Sequence, residues 1–194
     1  MENPNFDISR FDNRSLDVSK TGIPGMLVVR LVIKPDGRGW MKEAFQRSKL
    51  VPLGFPSSFQ PVGYQVAAVQ RRGFTRGIHA DTVNKYISLT RGEAFVAIVD
   101  LRRGGSFGRV ETVTLTPEDA IFVPKGCGNS YQTLSDDVGY TYLEDDRTSL
   151  DPATCVSLAD TELAVRWPIP LQEAQMLPDD EDRPGLREIV PVEP

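Results

Sequence analysis

The stretch GEAFVAIVDLRRGGSFGRVETVTLTPEDAIFVP, residues 92–124, predicts three strands joined by two short connections. Residues 92–102 form an apolar run, and residues 120–124 are apolar again. In residues 108–116, one valine and three threonines alternate with Glu111, Val113 and Leu115. A Gly-Gly pair and a Pro-Glu-Asp sequence, both typical of turns, separate the three segments. Short strands with turn signals at this spacing are typical of β-sandwiches and β-barrels.

Other segments on both sides of this stretch have a strand-like composition, namely 25–33, 85–90, 139–145, 154–160 and 163–168. Only residues 41–50 have a helical composition. The proline- and acid-rich residues 169–194 predict an irregular tail with room for one helical turn. We therefore predict an all-β fold in a single domain over residues 1–194, with its core at about 22–168.

The composition excludes several classes of protein. The formal net charge is −5 and the pI is near 5.0, which argues against binding nucleic acid. There is no apolar run of about 18 residues that could cross a membrane, and the polar N-terminal sequence does not resemble a secretory signal. Cys127 and Cys155 are too few and too far apart for a disulfide framework or a zinc ribbon, so we predict a cytoplasmic protein.

The chain contains a single histidine, His79, and it lies in the most basic segment of this acidic protein. Arg71, Arg72, Arg76 and Lys85 flank it. Without context, a lone histidine is most often a surface or core residue with no chemical role. A local basic cluster in an acidic protein instead suits a small anionic ligand such as a phosphate ester.

Three motifs carry a resemblance to a known family. RGIH (76–79) precedes RGEAFVAIVDLRRGGSFG (91–108), and TLTPEDAIFVPKGCGNSYQTLSDD (114–137) follows. Together they resemble the dTDP-4-dehydrorhamnose 3,5-epimerase family, and the similarity covers about three quarters of the chain. The resemblance implies a cupin-type jelly-roll barrel, a homodimer, no cofactor, and a substrate that is a dTDP-linked 4-keto-6-deoxyhexose. Long apolar strands with exposed edges are a second reason to expect pairing of two subunits.

The resemblance also implies roles for individual residues. His79 stands at the position of the general base, Tyr142 at that of the proton-donating tyrosine, and Asp180 at that of the carboxylate that pairs with the histidine. Asp179 and Asp182 are alternatives for this carboxylate. The positions expected to contact substrate are Arg38, Glu43, Gln65, Arg76, Lys85 and Asn129.

These residue types fit proton abstraction next to a ketone, followed by reprotonation from the opposite face. The reaction needs a base near the carbon acid and positive charge near the enolate oxygen. We expect Lys85 to supply that charge if residues 77–79 and 85–89 are neighbouring strands. Tyr142 is a weak acid, with an unperturbed pKa near 10, so we expect the basic cluster to stabilise its phenolate.

Three departures from the family pattern affect the substrate prediction. Asn129 replaces a histidine of the family, Gln65 alone represents a Gln-x-Asn segment, and the connection between His79 and Lys85 is about four residues shorter than usual. An epimerase acting at C3 or C5 alone is therefore an alternative, and a non-catalytic cupin that binds a sugar nucleotide is another. A metal-dependent cupin oxygenase, or any metal site, is disfavoured because one histidine and two distant cysteines are poor ligands for a transition metal. The related 3,4-ketoisomerases use a histidine pair, and this chain has only one histidine.

Overall fold

The computed structural model describes residues 15–36, 38–147 and 154–193, and nearly all of its regular structure is β-strand. The strands are β1 Asp17–Lys20, β2 Leu27–Arg30, β3 Ile33–Asp36, β4 Gly39–Lys42, β5 Gly63–Val69, β6 Thr75–Ala80, β7 Lys85–Arg91, β8 Ala94–Asp100, β9 Val110–Leu115, β10 Asp119–Val123, β11 Cys127–Thr133, β12 Val138–Glu144 and β13 Thr154–Cys155. The α-helices are α1 Arg47–Leu50 and α2 Pro178–Glu181, and 3₁₀ turns cover Val51–Leu53 and Leu186–Glu188.

The strands form two antiparallel sheets and a separate hairpin. One sheet has six strands in the order β1-β2-β10-β7-β12-β5, and the other has five in the order β13-β6-β11-β8-β9. Strands β3 and β4 pair only with each other among the described residues. Strands distant in sequence, such as β2 and β10, lie side by side in the six-stranded sheet, as in a jelly roll.

The main core fills the space between the two sheets, because apolar side chains from both meet there. Ile87 and Leu89 of β7 belong to the same buried cluster as Val96 and Ile98 of β8. A second apolar cluster covers the outer face of the five-stranded sheet, where the C-terminal segment packs Leu186 against this sheet. This packing carries the C-terminal segment, including α2, past β6.

The motif VDLRRGGSFG, part of the run 91–108 that carries the family resemblance, shapes the loop after β8. The carboxylate of Asp100 is completely buried and accepts hydrogen bonds from Arg102 Nε at 2.8 Å and Arg102 Nη2 at 2.7 Å. The Ser106 hydroxyl donates a third bond at 2.8 Å. These bonds hold the loop between β8 and β9, so the role of this motif is to shape the fold.

Four predicted segments differ from the structure. Residues 41–50 are not one helix: Lys42 ends β4, where its ammonium donates to two backbone carbonyls, and only Arg47–Leu50 are helical. Segment 25–33 contains two strands separated by a break. Segment 154–160 is a strand only at Thr154–Cys155, and 163–168 is not a strand.

The lost strand at 163–168 has a local cause. The side chain of Asp160 accepts hydrogen bonds from the backbone of Glu162 and Leu163, which closes a turn instead of extending the chain. Helix α2 agrees with the one helical turn expected in the tail. No helix of the described segments exceeds four residues, so none is long enough to cross a membrane.

Candidate active site

A cavity of about 940 Å³ lies between the ends of the two sheets. Strands β5, β7 and β12 of the six-stranded sheet line one wall, while β6 and β11 of the five-stranded sheet line the other. Residues 177–183, which include α2, complete the lining. The predicted site residues inside it are Gln65, Arg76, His79, Lys85, Asn129, Tyr142 and Asp180.

A β-bulge brings both Arg76 and His79 into the cavity. Residues three apart on a regular strand point to opposite faces, but Arg76 pairs with Tyr131 and His79 with Asn129, which are only two apart. The extra residue on β6 restores a common direction. Gly77 permits this geometry: its φ is +118°, and a Cβ there would lie 2.5 Å from the Cβ of Ser130.

His79 forms a buried pair with Asp180. The distance from His79 Nε2 to Asp180 Oδ1 is 2.7 Å, and the Asp180 side chain is only 2% exposed. A carboxylate only accepts hydrogen bonds, so Nε2 carries the proton and Nδ1 keeps the lone pair that a base needs. Of the three candidate carboxylates, the structure thus pairs Asp180 with the histidine, whereas Asp179 and Asp182 are exposed.

Lys85 lies on the opposite wall, enclosed by two carboxylates. Its ammonium donates a short hydrogen bond to Asp81, and Glu144 Oε1 lies 3.8 Å from Nζ. From the sequence, we expect Lys85 to reach the site if residues 77–79 and 85–89 are neighbouring strands. That condition is wrong, because β6 and β7 belong to different sheets. The ammonium nevertheless reaches the cavity, since the chain crosses from one sheet to the other between Ala80 and Lys85.

Tyr142 stands on the same wall as Lys85, whose Nζ lies 5.5 Å from the centre of the tyrosine ring. Burial, followed by the neighbouring Tyr131, raises the pKa of the Tyr142 hydroxyl above its usual value. Arg76 opposes this rise, while Asp81 and Glu144 add to it. Burial and Tyr131 thus outweigh Arg76, the one cation among these causes that stabilises the phenolate as expected from the sequence.

Gln65 and Asn129 line the cavity and also brace its walls. Gln65 Nε2 donates to Glu144 Oε2 at 2.8 Å, which links β5 to β12. Asn129 Nδ2 donates to the backbone carbonyl of His79 at 3.2 Å, so it steadies the strand that carries the histidine. Both side chains thus have a structural contact in addition to their position on the cavity surface.

Arg38 and Glu43 do not line this cavity. The Arg38 side chain is 90% exposed and pairs with Asp36 at 2.8 Å, next to the turn of the β3–β4 hairpin. Glu43, just after β4, pairs with Lys49. The structure therefore does not bring these two predicted residues to the site.

The cavity is acidic rather than basic. Its described lining contains three cationic and five acidic side chains, a formal excess of two negative charges with a neutral histidine. The basic residues that flank His79 in the sequence do not all reach the cavity. Arg71 and Arg72 precede β6 and do not line it.

Among the polar side chains that line the cavity, the sequence did not indicate four, namely Asp81, Tyr131, Glu144 and Arg183. The sequence contained a signal for one of them. Glu144 follows Tyr142 by two residues on β12, and residues two apart on a strand share a face. In the described part of the chain, no group of three or more His, Cys, Asp or Glu side chains is arranged to hold a metal ion.

Comparisons with known proteins identify the family of the chain. The model of the dTDP-4-dehydrorhamnose 3,5-epimerase family matches residues 20–188. A Streptococcus pyogenes protein described as an RmlC homolog is 36% identical over 178 residues, covering 89% of this chain and 90% of that protein. A dTDP-4-dehydro-6-deoxyglucose 3-epimerase of Streptomyces bikiniensis is 32% identical and covers 80% of this chain and 81% of its own.

A solved structure is also similar over nearly the whole chain. RmlC from Streptococcus suis, in complex with dTDP-D-xylose, has a TM-score of 0.89 and 36% identity, covering 94% of this chain and 97% of its own. The predicted all-β, cupin-type jelly-roll fold and the family resemblance are both confirmed. On sequence and fold, the chain belongs to the dTDP-4-dehydrorhamnose 3,5-epimerase family.

Proposed function

We propose that the protein is an epimerase of a dTDP-linked 4-keto-6-deoxyhexose. It removes a proton from a carbon next to the C4 ketone and returns a proton to the opposite face. The observation that carries this proposal is the placement of His79 and Tyr142 on opposite walls of one cavity, one on each sheet. A planar enolate held between these walls has a base on one face and an acid on the other.

His79 is the base. Asp180 fixes its tautomer and stabilises the imidazolium that forms when the histidine takes the substrate proton. The pair is largely shielded from water, with the histidine side chain 18% exposed. Because the electrostatic interaction is stronger away from water, this carboxylate contributes more than an exposed one would.

Lys85 and Arg76 balance the charge of the intermediate. The enolate oxygen at C4 becomes negative as the proton leaves, and positioned positive charge at that oxygen is often the largest contribution to catalysis of this kind. Lys85 stands beside Tyr142, on the wall opposite His79. Arg76 also faces the cavity, where its guanidinium suits a phosphate group of the nucleotide.

Tyr142 is the acid. Its raised pKa keeps the hydroxyl protonated in the free protein, so a proton is available for the enolate. An enolate is a strong enough base to accept a proton from a phenol.

We infer that the active unit is a homodimer, in which the hairpin of one subunit completes the cavity of the other. Strand β5 is a free end strand of the six-stranded sheet among the described residues, and it lines the cavity. In and beside it, Val62 is 75%, Tyr64 63% and Val66 58% exposed. Exposed apolar side chains on an end strand are typical of a subunit interface.

The charge of the cavity supports the same inference. A diphosphate carries negative charge, yet the described lining of one protomer is acidic. Additional cations must therefore come from another part of the assembly, and Arg38 is an exposed arginine on the hairpin. Arg38 and Glu43 of one subunit would then contact substrate in the cavity of its partner, and Gln65 and Asn129 would contact it from the cavity walls.

The primary test is incubation with dTDP-4-keto-6-deoxyglucose in D2O, with mass spectrometry and NMR to locate deuterium in the sugar. Deuterium at C3 and C5 with inversion at both is expected for a 3,5-epimerase. Deuterium at one carbon alone supports a single-centre epimerase, the activity for which the Streptomyces bikiniensis relative is named. Binding without any exchange would make the protein a non-catalytic cupin and refute the proposal, and His79→Ala is the negative control.

A mixed-dimer assay tests whether Arg38 acts on the partner's cavity. His79→Ala and Arg38→Ala are each expected to be nearly inactive alone. After subunit exchange, half of the dimers contain one chain of each kind, and one of their two sites is intact, so activity should return to about a quarter of wild type. If Arg38 serves its own cavity, or if the protein is a monomer by light scattering, mixing restores nothing.

A cytoplasmic location stays a prediction of the sequence.

A further inference from the structure

The connection between the two walls of the cavity is unusually well fixed. Residues 81–84 lead from β6, which carries His79, to β7, which begins with Lys85. The Asn84 side chain donates to Asp145 Oδ2 at 2.6 Å and accepts from the backbone of Lys125 at 2.9 Å. The short connection is therefore a braced corner, and its two ends hold the base and the cation of the site.

Asp81 lies at the first end of this corner and bonds to the residue at the other end. Its carboxylate accepts the hydrogen bond from the Lys85 ammonium, and both side chains are nearly buried, at 12% and 10% exposure. Glu144 lies directly across from Lys85 in the pairing of β12 with β7 and approaches the same ammonium. Gln65 in turn holds Glu144.

An unrestrained lysine is a poor group for stabilising an enolate. Its four-carbon chain samples many rotamers, and its ammonium prefers water to a partly buried site. A charged partner on the wall removes both problems, because it selects one rotamer and offsets the loss of hydration. An ammonium has three N–H donors, so a contact with Asp81 leaves others for a ligand in the cavity.

We propose that Asp81 is a positioning residue that acts through Lys85. It holds the ammonium where the enolate oxygen forms and thereby sets its placement relative to His79, which lies two residues before Asp81, on β6. Glu144 is the second, weaker member of this arrangement. The proposal rests on the epimerase function and adds a role for a carboxylate that does not touch the reacting atoms.

A double-mutant cycle tests the proposal. The variants are Asp81→Asn, Lys85→Met and the double variant, and the readout is the rate of deuterium uptake at C3 or C5, with the affinity for dTDP measured separately. Asp81→Asn is expected to slow uptake by about 10-fold or more, because a misplaced cation loses much of its effect on the enolate. The affinity for dTDP should change less than about threefold, because the proposal places the Lys85 ammonium at the enolate oxygen of the sugar and not at the nucleotide. In the Lys85→Met background, Asp81→Asn should have no further effect on uptake.

Two companion variants separate positioning from general loosening of the corner. Asn84→Ala removes the bracing bonds without touching Lys85, so its effect should be the same fold-change in both Lys85 backgrounds. Asp81→Glu retains the charge and should recover part of the uptake rate. If Asp81→Asn remains fully harmful without Lys85, or if Asn84→Ala shows the same coupling, the proposal is wrong. If thermal denaturation shows that the Asp81→Asn variant is unfolded, Glu144→Gln replaces it in the same cycle. Its effect on deuterium uptake should then likewise disappear in the Lys85→Met background.

Failure of this proposal is distinguishable from failure of the proposed function. A wild-type protein that exchanges no deuterium contradicts the epimerase activity itself. A wild-type protein that exchanges normally, with a Lys85→Met variant of unchanged rate, leaves the epimerase activity in place and removes Lys85, and with it Asp81, from the mechanism.

Discussion

Asp180→Asn is expected to slow epimerisation by about 10²–10⁴-fold while leaving the fold and the binding of dTDP nearly unchanged. The substitution keeps the size of the side chain and removes its charge. In the native structure the carboxylate is 2.7 Å from His79 Nε2 and 2% exposed, so the lost interaction is both short and shielded from water.

Two effects contribute to this magnitude. The imidazolium that forms when His79 takes the proton loses its counter-charge, which raises the barrier. An asparagine amide can also donate to Nε2, which places the ring proton on Nδ1 and removes the lone pair of the base. A 10³-fold loss corresponds to about 4 kcal/mol in the activation barrier, a reasonable sum for these two effects.

The assay is the initial rate of deuterium uptake, compared with the rate of the matched variants Asp179→Asn and Asp182→Asn. These neighbours are exposed carboxylates of the same segment, and each substitution removes the same charge without touching His79. Both should remain within about threefold of wild type. An Asp180→Asn rate within threefold of wild type, or an equal loss in a neighbour, would refute the role of the pair.

Three further predictions concern the acid and the fold. Tyr142→Phe should still take up deuterium, since His79 can return a solvent proton to the same face, but inversion should fall sharply; loss of uptake as well would mean that another group is the acid. Asp100→Ala should lower the free energy of unfolding by about 3 kcal/mol in urea titrations, because it leaves Arg102 without its buried partner; a change below 1 kcal/mol would contradict this. Burial raises the pKa of Tyr86, Tyr140 and Tyr142 in the folded protein. The unfolded chain therefore releases these protons first, and stability should fall above about pH 10 by up to ~4 kcal/mol per pH unit, as measured by urea titrations across this range.

Five strands with a clear apolar pattern could be predicted from the sequence, whereas the polar strand β11 could not. Five predicted segments contain β-branched and aromatic residues at strand spacing, and all five form strands, namely β7, β8, β9, β10 and β12. Strand β11, CGNSYQT, is entirely buried although its composition is polar. Its polar side chains are bonded to other segments, as when Gln132 donates to Thr75. Such bonds depend on the tertiary fold, so no local pattern indicates them.

The site residues that lie in family motifs could be predicted from the sequence. Features that depend on the folded geometry could not. His79, Tyr142 and Asp180 were placed by resemblance, and the structure brings them to one cavity. The bulge at Gly77 could not be anticipated, since a regular strand would point Arg76 away from His79. Arg38 was expected at the site but lies outside it in one protomer, because the hairpin is part of neither sheet.

The number of carbons inverted depends on the shape of the cavity rather than on the identity of the base. In a 4-keto-6-deoxyglucose ring, the hydrogens at C3 and C5 lie on the same face, so one histidine on one wall can remove either of them. Tyr142 on the opposite wall can protonate either carbon from the other face. A 3,5-epimerase and a 3-epimerase can therefore use the same pair of residues. What separates them is whether the ring can move enough between the walls to bring both carbons, in turn, within reach of His79. The short connection after β6 lies beside the base and is fixed by hydrogen bonds of Asn84 and Asp81, so we expect substitutions there to change the number of inverted centres.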